Sequence, residues 1–274
     1  MFSRPNAKIN IGLLITDKRP DGFHNIETVF YPISLCDTLT VEPAASGKPD
    51  FTCDGADLSD SNPFDNLCCK AYRLLDADFD LPPTRIRLQK IIPVGAGLGG
   101  GSSDAAYTLM ALNDLYKLQI SDEKLANYAS RIGSDCAFFL QGSPAFGTGK
   151  GDILDPIELH LAGYHILLIK PPVFVGTAEA YSSATPKKPQ YSLPEAIKYP
   201  VDEWRNTVFN DFEKSVFKKF PEIGQIKELL YREGAVYASM SGSGSSVYGI
   251  FRKNPSKTAK LFPNCFSWKK FFLW

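Results

Sequence analysis

Apolar and polar residues alternate at the start of the chain. In "AKINIGLLIT", Ile9, Ile11, Leu13 and Ile15 share one parity, and Lys8, Asn10, Gly12 and Leu14 the other, which predicts a strand with one apolar face. On spacing alone, Lys8 and Asn10 read as the solvated face of an edge strand. Pro20-Asp21-Gly22 is turn chemistry, so "IETVFYPISL" is expected to return as the second arm of a hairpin. "TLTVEP" and "RIRLQKIIPV" are further strand candidates. The period then lengthens. Ala105, Leu109, Leu112 and Tyr116 predict a helix over 103–116. A second helix follows the cap Ser121, with Asp122 and Glu123 at its positive end, an apolar stripe of Leu125, Tyr128, Ala129 and Ile132, and Gly133 at its close.

The texture changes past 152. "YHILLIKPP" reads as a strand, whereas 184–200 holds four prolines and predicts a long surface loop or lid. Helical spacing resumes over 210–234, and "AVYASM" and "SVYGIF" predict two strands flanking "SGSGS". "CFSWKKFFLW" is expected to add a last strand. The mixture predicts an α+β architecture in two lobes, 1–152 and 153–274.

Composition narrows the function. Thirty basic residues balance thirty acidic ones in 274, so no global field favours nucleic acid or an anionic membrane. The longest apolar runs are too short to span a bilayer, and the N-terminus lacks the layout of a secretion signal. Six cysteines without a CxxC pair read as reduced thiols of a cytoplasmic protein, and three histidines without ligand spacing argue against structural zinc.

The strongest chemical signal is "PVGAGLGGGSSDAA" at 93–106, with five glycines in the seven positions 95–101. Gly95, Gly97 and Gly100 satisfy GxGxxG, but a dinucleotide site needs a βαβ unit, and here a second helix follows the first. A Walker loop needs Lys where Ser102 stands, and the companion motifs of a protein kinase are missing. The physical property remains. Glycines let consecutive N–H groups converge, and a following helix adds unpaired donors and a positive dipole end. One glycine would serve a turn; five imply that an anion such as a phosphate approaches the backbone.

This segment resembles the ATP-phosphate loop of the GHMP small-molecule kinases. "SMSGSGSSVYGIF" (239–251) resembles their C-terminal glycine-rich motif, and "AKINIGLLITDKRPDGFHNIETVF" (7–30) the N-terminal segment of one member. That member phosphorylates the 2-hydroxyl of a cytidine diphosphate sugar alcohol in the non-mevalonate isoprenoid route. "GSDCAFFLQGSPAFGTGKGDIL" (133–154) points the same way. The likeness runs from residue 7 to about 181 and thins until 238. It implies a GHMP kinase fold, with an N-terminal lobe like ribosomal S5 domain 2, a smaller C-terminal lobe, and an active site in the cleft between them.

The resemblance also implies roles. Lys8 and Asp135 are the catalytic pair, the carboxylate accepting or orienting the hydroxyl proton and the amine stabilising charge. On its own, Asp135 reads as a turn or cap aspartate. Pro93, Val94, Gly95, Ala96, Gly97, Leu98, Gly99, Gly100, Gly101, Ser102 and Ser103 cradle ATP. Asn10, Phe23, His24, Phe30, Thr177 and Tyr181 bind substrate, the aromatics taking the cytidine. Phe23 stands where the family often has tyrosine, which keeps stacking and loses a hydroxyl. Mg²⁺ is expected with the ATP phosphates, with Ser103 or Asp104 as candidate ligands. Lys150 carries no role. The chemistry needs no oligomer. The rival readings are another kinase of the superfamily acting on mevalonate or homoserine, an S5-like RNA-binding module, and a nucleotide sensor without turnover.

Overall fold

The protein is described by a computed structural model over residues 1–45, 47–55 and 65–272. The first half carries β1 (Phe2–Ser3), β2 (Asn6–Lys18), β3 (His24–Cys36), β4 (Thr38–Pro43), β5 (Asp50–Gly55), α1 (Leu67–Phe79), β6 (Thr84–Lys90), α2 (Gly100–Tyr116), α3 (Asp122–Ile132) and α4 (Phe138–Gln141). There follow β7 (Ala145–Thr148), β8 (Ile153–Pro156), β9 (His165–Lys170), α5 (Thr177–Ser182), α6 (Leu193–Ala196), α7 (Glu213–Lys219), α8 (Pro221–Arg232), β10 (Tyr237–Met240), β11 (Val247–Phe251), α9 (Ser256–Ala259) and β12 (Phe266–Phe271). The architecture is α+β, as the sequence predicts.

Two compact units form. One contains Met1–Lys8, Pro32–Val94 and Gly99–Gly142; the other contains Ile9–Tyr31, Gly95–Leu98 and the chain from Ser143 onward. The division is interleaved, with the first hairpin and part of the glycine segment grouped with the C-terminal half.

In the first unit the sheet order is β1-β4-β6-β5, with β5 parallel to β6 and the other pairs antiparallel. β4 and β6 alternate: Leu39, Val41, Ile86 and Leu88 are buried. α2 packs on α1, α3 and β4, burying Ala105, Ala106, Leu109 and Leu112. α3 has the expected cap, since Ser121 Oγ accepts from Lys124 N–H, and it ends at Gly133.

The second unit holds an antiparallel sheet, β10-β11-β9-β12. On it α8 buries Ile223, Ile226 and Leu230, at spacings of three and four, against Leu167, Ile169, Ala238 and Val247. The remaining sheet has the order β2-β3-β7-β8. Its hairpin closes at the expected turn, where Arg19 N–H donates to Phe23 O at 2.8 Å.

Two expectations are corrected, and the helical reading of 210–234 holds with added detail. β2 is buried on both faces, with Lys8 3% and Asn10 2% exposed, so neither lies on a solvated face. Although β2 ends its sheet, its edge is covered: Leu13 N–H donates to Phe209 O, and Lys187 N–H to Ile15 O. The stretch 184–200 is not all surface loop, because Leu193, Ala196 and Ile197 are buried. The helical pattern of 210–234 is two helices, broken at Pro221, where the ring cannot continue a helix. β5 and α1 are elements without a counterpart in the pattern analysis.

Candidate active site

In the first unit, the glycine segment delivers a helix start with no side chain on it. α2 begins at Gly100, three residues before the predicted Ser103, and its cap residue Gly99 makes no side-chain hydrogen bond. No acidic residue stands in the first turn, so a positive dipole end is left without a built-in counter-charge. Lys8 lies against this start: a methyl on Gly99 would come 3.2 Å from Lys8 Cε and 2.8 Å from Phe139 Cζ.

Lys8 and Asp135 are 127 positions apart and meet, with Nζ–Oδ2 3.5 Å; the lysine is buried and the aspartate keeps 30% of its side chain exposed. Burial pulls the Lys8 ammonium below its ordinary 10.5, with Asp135 working in the opposite direction. Asp135 follows the close of α3 and is not a helix cap; it stands in the turn before Phe138. The arrangement puts an ammonium and a carboxylate that reaches solvent beside a bare helix N-terminus. That set can accept a proton from an alcohol and stabilise developing negative charge.

Asp104 departs from expectation. It is the fifth residue of α2 and not part of the first turn, and it faces inward. Its Oδ2 accepts from Lys90 Nζ at 2.7 Å, and Lys90 Nζ also donates to Asp37 Oδ2. Asp37 Oδ1 accepts the backbone N–H of Ile92 at 2.8 Å and that of Ile91. Burial pushes the Asp104 carboxyl up to about 7, with Lys90 opposing and Asp37 adding to the rise. Lys90 is pulled down by burial, but the two carboxylates outweigh that and raise it. Ser103, the other metal candidate, is also fully buried. Among the described residues no cluster of three or more metal-binding side chains forms.

In the second unit, the other part of the glycine segment is clamped. Gly95 and Gly97 have φ of +61° and +74°, and a methyl on Gly97 would fall 2.0 Å from Ser241 O. Ser241 Oγ donates to Gly97 O at 2.8 Å, and Ser246 N–H to Ala96 O at 3.2 Å. Asn10 joins this network: its N–H donates to Ser241 Oγ at 3.2 Å and its amide to Thr28 Oγ1 at 2.9 Å. Two residues absent from the sequence reading brace the 241–246 loop. Asn210 donates to Met240 O and Gly242 O, and Glu213 accepts from Met240 N–H and Ser239 Oγ.

His24 stacks on Tyr181, ring centroids 5.0 Å apart and 17° from parallel. Phe23 is 59% exposed, with Lys150 Nζ 5.2 Å from its ring centre. Thr177 opens α5 and is exposed. Phe30 does not join them as an open stacking face. It is a core ring, 1% exposed, and its edge leaves no room for a side chain on Gly147.

Comparison with known proteins follows this geometry. A family model described as the GHMP kinases N terminal domain matches residues 66–143, and the GHMP kinases C terminal model matches 200–263. A 4-diphosphocytidyl-2-C-methyl-D-erythritol kinase of Bacteroides thetaiotaomicron is 56% identical over 253 residues, 92% of each chain. One of Bacteroides fragilis is 52% identical over 267 residues, 97% of each. A solved 4-(cytidine 5'-diphospho)-2C-methyl-D-erythritol kinase superposes with a TM-score of 0.82 at 31% identity, covering 98% of both chains.

Proposed function

The chain belongs to the GHMP kinases, ATP-dependent enzymes acting on small molecules, and from that premise we propose that it phosphorylates the 2-hydroxyl of 4-diphosphocytidyl-2-C-methyl-D-erythritol in non-mevalonate isoprenoid biosynthesis. The observation that carries this reading is the Lys8–Asp135 pair, whose buried lysine lies against Gly99 at the start of α2. Residues 93–103 form the triphosphate cradle, with backbone N–H donors drawn from 94–102, since Pro93 has none and Ser103 N–H donates to Gly99 O. Asp135 accepts the hydroxyl proton as the substrate oxygen bonds to the γ-phosphorus. The bond to the β-phosphate bridging oxygen breaks, ADP leaves, and the proton passes from Asp135 to water. Lys8 stabilises charge on the transferring group, and positioning supplies most of the catalysis.

The cytidine is read by His24 and Tyr181, with Phe23 as an exposed ring beside them and Thr177 as a polar contact. Asn10 supports the phosphate end of the site through the Ser241 network that holds Gly97, and Phe30 supports the site only from the core. Mg²⁺ would neutralise phosphate charge and would be held chiefly by the phosphates, since Asp104 is engaged by Lys90 and Ser103 is buried. We also keep the sequence boundary at 152, because one family match falls on either side of it. The reaction belongs in the cytoplasm, a reading supported by six cysteines without a disulfide. Among the described residues no helix is long and apolar enough to cross a membrane.

ADP release measured over a panel of alcohols tests the proposal. The cytidylated substrate is expected to turn over fastest and to be competed by cytidine nucleotides. Preference for mevalonate or homoserine would overturn it.

A further inference from the structure

The Asp37–Lys90–Asp104 cluster is a poor stabilising device. All three side chains are buried, two carboxylates share one ammonium, and Asp104 Oδ1 is buried without a hydrogen-bond partner among the described residues. Buried charge sets of this kind are often no better for stability than an apolar core, and an unmatched acceptor adds a cost. Their geometry is nevertheless specific. Asp37 grips the backbone N–H groups of Ile91 and Ile92, the last residues before Pro93. Asp104 is bound to the same lysine from inside the second turn of α2. The cluster therefore ties together the two ends of the glycine segment.

Three further features make that tie consequential. The start of α2 has no side-chain cap to fix it. The stretch between the anchors contains Gly95, Gly97 and Gly99, all at positive φ, whose backbone loses the most freedom on ordering. Gly100 abuts the cluster, since a methyl there would lie 2.8 Å from Ile92 Cγ2 and 3.2 Å from Lys90 Nζ.

We propose that Asp104, acting through Lys90 and Asp37, is a positioning residue for the nucleotide: it holds the N-terminus of α2 at the spacing from residues 91 and 92 at which the intervening backbone takes the triphosphate. The inference rests on residues 93–103 being the ATP cradle. It makes Asp104 part of the nucleotide-affinity machinery without direct contact with the nucleotide.

The test is steady-state kinetics of the full chain, varying ATP at saturating cytidylated alcohol and the reverse. Asp104→Ala suits it, because Lys90 and Asp37 remain as a one-to-one pair and alanine favours the helix. The KM for ATP is expected to rise about tenfold, equivalent to about 1.4 kcal/mol. The KM for the alcohol is expected to stay within about twofold. Asp104→Asn keeps an oxygen that accepts from Lys90 and is expected to recover most of the loss. Leu112→Ala, which strips a buried contact from α2 away from the cluster, is expected to lower Tm while leaving both KM values in place. An unchanged KM for ATP, or an equal rise in both KM values, would overturn the proposal. Should Asp104→Ala fail to fold, Asp104→Leu takes its place, filling similar space with no acceptor for Lys90: a rise in KM for ATP alone supports the tie, and no rise refutes it. Wild-type protein that releases no ADP would overturn the functional reading, and this inference with it.

Discussion

Replacing Gly97 with alanine separates two costs that the structure distinguishes. The first is conformational: at φ +74° an L-residue occupies the left-handed region, which costs about 1 kcal/mol. The second is contact. The new Cβ would lie 2.0 Å from the Ser241 carbonyl oxygen and 2.9 Å from its carbon, neither of which is the end of a flexible side chain. Either the glycine segment or the 241–246 loop must retreat by about 1 Å, and a misplacement of that size at a reacting site costs about 10²-fold. Gly142→Ala is the matched control, because Gly142 has φ +67° and nothing within 4 Å of the added methyl. The control is expected to lose about 1 kcal/mol, about 3 °C in Tm, with unchanged turnover. Gly97→Ala is expected to lose more Tm than that and about 10²-fold in kcat/KM for ATP. Calorimetry and coupled ADP release on the two variants give both numbers. Equal Tm losses, with wild-type kcat/KM in Gly97→Ala, would show that the segment tolerates displacement and that the clamp does not matter for phosphate binding.

Other consequences follow from the same geometry. Asp135→Asn is expected to lower kcat by about 10²–10⁴-fold with KM for ATP little changed, and a variant with near-full turnover would remove Asp135 from its role. Because burial lowers the Lys8 ammonium, activity is expected to fall on the alkaline side below pH 10.5, as the lysine loses its proton. Any activity retained by Lys8→Arg should lack that limb, since guanidinium stays charged to above pH 12; pH profiles of kcat/KM check both. Tyr181→Ala removes the ring stacked on His24 and is expected to raise KM for the cytidylated alcohol while sparing KM for ATP. Leu193→Ala empties a fully buried position and is expected to cost about 2–5 kcal/mol in urea unfolding.

Where local chemistry decides structure, the sequence is readable. Ser121 and Gly133 bracket α3 as expected, and Pro20-Asp21-Gly22 turns the first hairpin. The start of α2 is not readable in the same way, because glycines are poor helix formers and the close fit of Gly100 against Ile92 has no local signal. Parity placed Lys8 and Asn10 on one face correctly, but it carries no information about what covers that face. Phe30 illustrates the same limit, because a ring at the right spacing from His24 proved to be core. The proximity of Lys8 and Asp135 could be expected only from resemblance, since no local pattern links segments so far apart. In "RIRLQKIIPV" strand parity sets Lys90 with Ile86 and Leu88 and apart from Arg85 and Arg87, and the structure follows it, but parity does not reveal the two carboxylates that Lys90 is buried between. Asn210 and Glu213 lie in a stretch whose helical period hides their task, because the carbonyls and N–H groups they hold belong to a distant loop.

A strand covered on both sides gets little guidance to its alignment from burial alone, because sliding one position exchanges one set of covered residues for another. For β2 the choice falls to polar pins. Tyr248 hydroxyl donates to Asn10 O at 2.8 Å, and Ile15 N–H donates to Asp211 Oδ2 at 2.9 Å, each broken by a one-residue slip that turns the backbone group away. An isoleucine would otherwise take the place of Lys8. The placement of the Lys8 amine is thus written in hydrogen bonds two and seven residues downstream of it.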